Sequence, residues 1–502
     1  MRINSTDRYL KLVIRALETS IVPNLAPGPS KGIAEVMRTV LLELRKRENG
    51  SPAQLRACIT AGRELAVELE TLLEERSADS AVADADTDNF ETLVQRHARL
   101  TERLADLTER LAARRARSNT QGPSAVGERL LRRVAEWELS YYEQQAAVSL
   151  PPSPDESEPE SQALTQDFLE SFLNEQRQKE GLAGISVVAF EQVLGGYGKQ
   201  TYLARVRQGA AAESEIVVRK TDPLDHMKFG FSTLEQEFHL LRSLAKTDFP
   251  SPRPQYLGSK IPGVDGSFFT MPRIPGRVAG TFLGGVSEGN TESMYLKLAE
   301  LMARLHRMPM TTFSDYLNAH GDASVLGTNV RECYRINLEA WARYTAEHEF
   351  LPSPYLSWMF DWLKTHLPDD DRPAVLVHGD FNVHNVLANH GEVTGVLDWE
   401  CAGFGAPEQD LAYVRPHIAK HIDWNRFIDH YIHCGGPRLN PDVMKFCLVY
   451  SAIRVNLGGN KLTYNLQHGA NSDIRYAMVD LGFSQAFMQM GLHAQGSTAS
   501  AP

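Results

Sequence analysis

Residues 374–399 read AVLVHGDFNVHNVLANHGEVTGVLDW, and no other stretch constrains the architecture of this chain so tightly. Residues 374–377 are a short apolar run of the kind that forms a buried strand rather than an amphipathic helix. The run ends at His378-Gly379-Asp380, and Asn385 follows five residues after Asp380. Two further apolar runs, 386–388 and 393–397, flank Asn389-His390-Gly391-Glu392, which spells a β-hairpin. With Ala388 opposite Val393, Asn385 falls opposite Val396, and Asp398 lies one diagonal step further on. Residues 396 and 398 share a sheet face, so Asn385 and Asp398 are expected to converge. Oxygen donors placed this way, with Asp380 on the adjoining loop, suit a hard cation such as Mg²⁺ that is held mainly by phosphates.

His378-Gly379-Asp380-x-x-x-x-Asn385, followed by Val396-Leu397-Asp398-Trp399-Glu400, resembles the catalytic signature of the aminoglycoside phosphotransferase and choline kinase group. That group is related to the protein-kinase layout of a catalytic-loop Asp and Asn followed by a metal-binding Asp. The resemblance implies an α+β, two-lobed kinase-like fold that uses ATP and Mg²⁺ to phosphorylate a hydroxyl of a small molecule. It further implies that Asp380 accepts the hydroxyl proton, that Asn385 and Asp398 bind the metal, and that His378 and Asp410 support the loop. A competing metal set, His378, His384 and His390, lacks any accompanying Cys/His zinc spacing.

Composition narrows the field further. The formal net charge is -11 and no basic stripe offsets it, which argues against a nucleic-acid partner. Five cysteines are scattered without CxxC pairs, as expected in a reducing compartment and hence the cytoplasm. The first residues carry Asp7 and Glu18 within a helical pattern and do not read as a secretory signal. No apolar run approaches the roughly 18 residues of a membrane span, so no membrane partner is expected.

Residues 1–150 read as an all-helical accessory domain. Within it, Leu93, Leu100, Leu104, Leu107 and Leu111 follow three-four spacing like a coiled-coil seam. Two uses are open to that seam: packing inside its own bundle, or a homodimer through the 90–117 helix. Residues 151–161, PPSPDESEPES, contain no apolar side chain and read as a flexible linker, so a 162–502 fragment is expected to fold by itself. Residues 162–275 are assigned to a first lobe, 276–492 to a mostly helical second lobe, and 493–502 to a disordered tail.

In the first lobe, 185–194 and 201–207 read as strands joined by Gly195-Gly196-Tyr197-Gly198-Lys199-Gln200. Gly196 and Gly198 would let backbone N–H groups approach phosphates, although the run is neither a Walker A loop nor G-x-G-x-x-G. The strand 215–220 ends in Arg219-Lys220, and the kinase pattern places a phosphate-binding cation there. Strand alternation sends the two to opposite faces, so one of them points inward, with Arg219 preferred. Glu237 lies on the apolar stripe of the following helix and wants a cation, whereas 232–235 fit a capping box that occupies Glu235. Met271 and Arg273 are the expected hinge contacts to a base, since Pro272 has no N–H. Gly285-Val286-Ser287-Glu288-Gly289 matches a hydrolase nucleophile elbow, but no buried strand precedes it. A kinase-like binding or regulatory module without turnover is the alternative to an enzyme.

Overall fold

The computed structural model describes residues 10, 13–26, 29–48, 51–74, 90–117, 125–143, 164–193, 199–209, 211–221, 232–262, 264–281, 285–286, 291–467 and 484–496. The chain divides into two compact units, one of residues 1–156, 344–366 and 452–497 and the other of 157–343, 367–451 and 498–502. In chain order the helices used below are Pro29–Glu48 (α1), Ser51–Leu73 (α2), Phe90–Arg117 (α3), Ala125–Glu143 (α4), Gln166–Lys179 (α5), Leu234–Leu244 (α6) and Thr291–His306 (α7). They continue as Val330–Glu347 (α8), Pro354–Thr365 (α9), Glu408–Ile418 (α10), Trp424–His433 (α11), Pro441–Gln467 (α12) and Ser484–Gly496 (α13). The strands are Ser186–Val193 (β1), Lys199–Arg207 (β2), Ser214–Thr221 (β3), Leu257–Gly258 (β4), Phe268–Pro272 (β5), Arg277–Val278 (β6), Val375–Val377 (β7), Val386–Asn389 (β8), Glu392–Val396 (β9) and Gly403–Gly405 (β10).

The first unit is a helical bundle built on α3. Its five seam leucines are all buried, and α3 packs along α2. The close approach needs Gly62, where an added Cβ would stand 2.7 Å from the side chains of Leu100 and Trp137. The five seam leucines are therefore spent inside this chain, which is the first of the two uses considered for the 90–117 helix. Helix α9 completes the bundle by burying Tyr355, Trp358, Met359, Trp362 and Leu363 against α3 and α4. Glu138 of α4, itself buried, accepts the Tyr355 N–H at 2.8 Å and so caps the start of α9 beside Ser353, whose hydroxyl accepts from Leu356 N at 3.1 Å. Burial pushes the Glu138 carboxyl up to about 7, more than these donors hold it down. Helix α13 lies against α4, with Arg132 reaching Gln495 Oε1 at 2.9 Å, and it runs through residues 493–496 that were expected in the tail.

The second unit begins with α5 against a five-stranded antiparallel sheet of order β1-β2-β3-β5-β4. Period-two alternation decides its chemistry. Ile216, Val218 and Lys220 of β3 are buried on the face toward α5, while Val217 and Arg219 point the other way. Helix α6 begins one residue later than the sequence pattern indicates. Thr233 is the N-cap and exchanges hydrogen bonds with Gln236 at 3.2 and 3.0 Å, which frees Glu235 to accept from Ser259 Oγ at 3.0 Å and from Ser267 Oγ. The remainder of the unit is mostly helical, with α7 at its centre and the short strands β7–β10 contributing Leu376, Val386, Ala388, Val396 and Phe404 to the same core. A small antiparallel sheet with one helix, joined through β5 to a helical lobe carrying a catalytic-type hairpin, is a two-lobed kinase-like α+β arrangement. The elbow-like run gains no support: Gly280–Thr281 and Gly285–Val286 pair as a short hairpin, and Ser287 lies outside the described residues.

The packing of α9 and α13 reverses the expectation for a 162–502 fragment. Five large apolar side chains of α9 would lose their cover, each worth about 1.5–3 kcal/mol when buried. The fragment should precipitate or melt without a cooperative transition by circular dichroism. A cooperative melt like that of the full chain would contradict this packing.

Candidate active site

Strand β7 pairs with β10 and carries the chain into His378-Gly379-Asp380, with Gly379 at a positive φ of 79° that a side chain would strain. One carboxylate fixes this turn. Asp410, fully buried on α10, accepts the His378 N–H through Oδ2 at 2.8 Å and the Gly379 N–H through Oδ1 at 2.7 Å. His306 at the end of α7 backs it, with Nε2 3.1 Å from Asp410 Oδ2 and Nδ1 2.9 Å from the Tyr431 hydroxyl. Burial works to raise the Asp410 carboxyl, but His306, His378 and the donated N–H hold it below the ordinary carboxylate value. The His378 ring then bridges forward. Its Nε2 lies 2.8 Å from Leu397 O, and its Nδ1 accepts the Asp380 N–H at 3.2 Å.

Asp380 emerges from this scaffold with its side chain 20% exposed. Its Oδ2 accepts from Asn385 Nδ2 at 2.9 Å and faces His384 Nε2 at 3.3 Å, whereas the buried Oδ1 meets no hydrogen-bond partner. Burial pushes the carboxyl up, but His384, Tyr413 and His378 outweigh it and bring it down to about 2, so it is ionised throughout the physiological range.

The hairpin carries a bulge that the sequence pattern does not reveal. Ala388 pairs with Val393 as expected, but Leu387 pairs with Gly395 and Val386 with Val396, which leaves Thr394 as the extra residue. Asn385 therefore stands opposite Leu397, whose N–H it accepts at 2.7 Å, and not opposite Val396. Asp398 follows in the left-handed region at φ 63°, rare for a residue with a Cβ and a mark of local strain. Asn385 and Asp398 thus turn to different partners, the first to Asp380 and the second to Arg219.

Arg219 is the centre of a dense charge cluster. Its Nη2 donates to Asp398 Oδ1 at 3.0 Å and lies 3.6 Å from Glu400 Oε2, and its Nε lies 3.3 Å from Glu237 Oε1. Lys199, the first residue of β2, places Nζ 3.6 Å from the same Glu400 oxygen. Side-chain exposures of 10% for Lys199, 13% for Arg219, 1% for Glu237, 12% for Glu400 and 29% for Asp398 mean that little water screens these charges. Burial dominates the carboxylates: Glu237 is raised despite Arg219 and Lys199, and Glu400, also pressed by Asp398, is pushed up to about 7. Burial opposes the Arg219 charge, yet its three acidic neighbours raise it above its ordinary value. Lys220 takes no part. It is buried on the opposite face, with Nζ 3.4 Å from Thr221 O.

Arg219, Glu237 and Asp398 form one end of a cleft of about 500 Å³ whose other walls include Thr201, Leu203, Val217, Leu241, Met271–Ile274 and Leu387. Met271 lines the cleft, but the Arg273 N–H is already donated to Glu215 O at 3.0 Å and its side chain pairs with Glu215. Arg273 is thereby removed as the hinge donor. Gly276, which also lines the cleft, sits at φ 132°, where a Cβ would stand 2.8 Å from Ala388 O. Gly196 and Gly198 lie outside the described residues.

The sequence pattern of the phosphotransferase enzyme family (APH) matches residues 189–447, from β1 to α12 and across every group just described. The chain belongs to this family. Acyl-CoA dehydrogenase family member 11 of Rattus norvegicus is 28% identical over 261 residues, which cover 51% of this chain and 31% of that protein. The chain thus matches less than a third of the length of that curated relative. Hygromycin-B 4-O-kinase of Escherichia coli is 30% identical over 136 residues, 26% of this chain and 36% of that protein. The solved macrolide 2'-phosphotransferase of Brachybacterium faecium aligns at 20% identity and a TM-score of 0.38, covering 62% of this chain and 98% of that one.

Phosphotransferases of this family imply a nucleotide and a divalent cation, and the donors present fit the latter. Among the described residues no three His, Cys, Asp or Glu side chains are arranged to hold a metal ion between them, which leaves the zinc reading of His378, His384 and His390 without support. Asn385, with Nδ2 committed to Asp380, has its carbonyl oxygen left as a donor, and Asp398 offers a carboxylate. Two hard oxygens with no dedicated cage suit Mg²⁺, which keeps water and phosphate in most of its positions. Sequence reasoning gave no role here to Lys199, Glu400 or His306, and considered His384 only in a competing metal set. Lys199 and Glu400 each adjoin a recognised motif, but nothing in a linear pattern indicates that they meet.

Glu400 gives the cluster a pH signature. Folded Glu400 binds its proton more tightly than an ordinary carboxylate, so the resulting stabilisation is complete below 4.5 and lost as pH rises through about 7. Thermal melts between about pH 5 and pH 8 should show Glu400→Gln losing less stability with rising pH than the parent protein. Equal slopes would contradict the cluster as described.

Proposed function

We propose that this chain is an ATP- and Mg²⁺-dependent small-molecule kinase that moves the γ-phosphoryl group of ATP to an acceptor hydroxyl. The observation that carries this reading is the division of labour around Asp380. Its Oδ2 is tethered to Asn385 and faces His384, while the ionised side chain stays 20% exposed at the end of the loop, where an acceptor hydroxyl could approach it. With its carboxyl held near 2, Asp380 is a weak base. It serves first to orient the hydroxyl and takes its proton only as the new bond to phosphorus forms.

The remaining residues divide by position. The apolar walls of the 500 Å³ cleft suit a purine, with Met271 and Ile274 at its edge. Arg219, anchored by Glu237, holds the phosphates as the basic residue of the strand, and its fork geometry lets it keep Asp398 as a second partner. Asn385 and Asp398 would hold Mg²⁺, which when bound supplies neutralisation of the charge on the transferring phosphate. Asp410, His306 and His378 touch neither substrate nor metal and keep the loop in register.

The acceptor is the open variable. The hydroxyls of hygromycin B are the class that one relative's name puts forward for assay, and the sequence leaves hydroxyacyl thioesters, choline-like alcohols and sugars open beside them. Asp380→Asn removes the charge while nearly keeping the volume. It should leave Mg·ATP affinity within a few-fold and lower phosphoryl transfer by a factor on the order of 10²–10⁴. Nucleotide binding weakened in parallel with turnover would make Asp380 a metal ligand instead. Tight ATP binding with no transfer to any hydroxyl compound would favour a binding module.

A further inference from the structure

We propose that Lys199 is a second phosphate-binding cation of the nucleotide site, working beside Arg219. The inference rests on the nucleotide reading of the cleft and extends it to a residue outside the kinase-type motifs. The sheet register brings the two cations together. Thr201 of β2 faces Arg219 of β3, and Lys199 faces Thr221, so Lys199 and Arg219 are diagonal neighbours on one face. That face is the one whose Thr201 and Arg219 line the cleft. Lys199 is also the first described residue after the glycine-bearing segment 194–198 that separates β1 from β2 in sequence.

The charge balance gives the reason for two cations. Lys199 and Arg219 face Glu237, Asp398 and Glu400, and both approach the same oxygen, Glu400 Oε2, at 3.6 Å. That separation is too long for a hydrogen bond, so the shared carboxylate screens the two positive charges from each other without engaging the ammonium donors of Lys199. A lysine 90% withdrawn from water needs stronger acceptors than this, and the oxygens of a polyphosphate arriving at Arg219 would supply them. Glu400 then acts as a spacer that keeps both cations aimed at the cleft. In the competing explanation Lys199 only neutralises Glu400.

Calorimetry on the full-length protein separates the two. ATP, ADP and adenosine are titrated into the parent, Lys199→Met, Lys199→Gln, Lys199→Arg, Glu400→Gln and the Lys199→Met/Glu400→Gln double variant, and a thermal melt of each ligand-free protein is recorded. If Lys199 contacts phosphate, Lys199→Met and Lys199→Gln should weaken ATP binding by about tenfold or more, ADP less, and adenosine hardly at all. Lys199→Arg should recover most of the loss, and adding Glu400→Gln should not. Restored ATP affinity in the double variant, or an unchanged ATP affinity with a lowered melting temperature in Lys199→Met, would make the residue a neutraliser and overturn the proposal. A parent protein that binds neither adenosine nor ATP would overturn the nucleotide reading itself, a result visible before any variant is compared.

Discussion

One buried carboxylate sets the geometry on which the loop of residues 378–385 depends. Asp410 receives two consecutive backbone N–H groups, those of His378 and Gly379, and is itself held by His306. A carboxylate closed off from water depends on its donors for stability, and losing one such hydrogen bond costs about 1.5–3 kcal/mol. The consequence runs outward along the chain. Fixing residues 378 and 379 aims the His378 ring at Leu397 O, which ties the loop to the end of the hairpin, and presents Asp380 with one oxygen already tethered. His306 in turn leans on Tyr431, so α7, α10 and α11 all converge on the same turn.

The second dependence is electrostatic. Arg219 draws three carboxylates, Glu237 from α6 and Asp398 and Glu400 from beyond the hairpin, onto one guanidinium. A planar fork with five donors can serve several acceptors at once, which a lysine ammonium at this position would do less well. The strained backbone at Asp398 belongs with this arrangement: the left-handed residue follows directly on the bulged hairpin, and its own carboxylate meets Arg219. Local strain of this kind is held by surrounding contacts and is common at functional sites.

Much of this was legible in the sequence, and the reasons are specific. The strand, loop and hairpin of 374–399 could be read because apolar runs and an Asn/Gly turn are local signals. Strand alternation correctly separated Arg219 from Lys220, and the apolar stripe of α6 correctly turned Glu237 inward. The bulge at Thr394 was hidden because one extra residue leaves the composition of a hairpin unchanged while moving Asn385 by one position. The capping box slipped by one residue because Gln236 serves as well as a glutamate at the third position. Lys199, Glu400 and His306 escaped because their partners come from distant parts of the chain, and no spacing rule joins them. The leucine seam of α3 told which face is buried but not what buries it, and the answer includes α9, which lies beyond the sheet in sequence.

The most direct test of the central claim is phosphorus NMR of the full-length protein with ATP, Mg²⁺ and a panel of hydroxyl compounds that includes hygromycin B and hydroxyacyl-CoA thioesters. Phosphoryl transfer at Asp380 predicts that one acceptor yields ADP and a new phosphomonoester resonance in equal amounts, and that omitting Mg²⁺ abolishes both. ATP that binds yet stays intact with every acceptor, or that yields only inorganic phosphate, would contradict it.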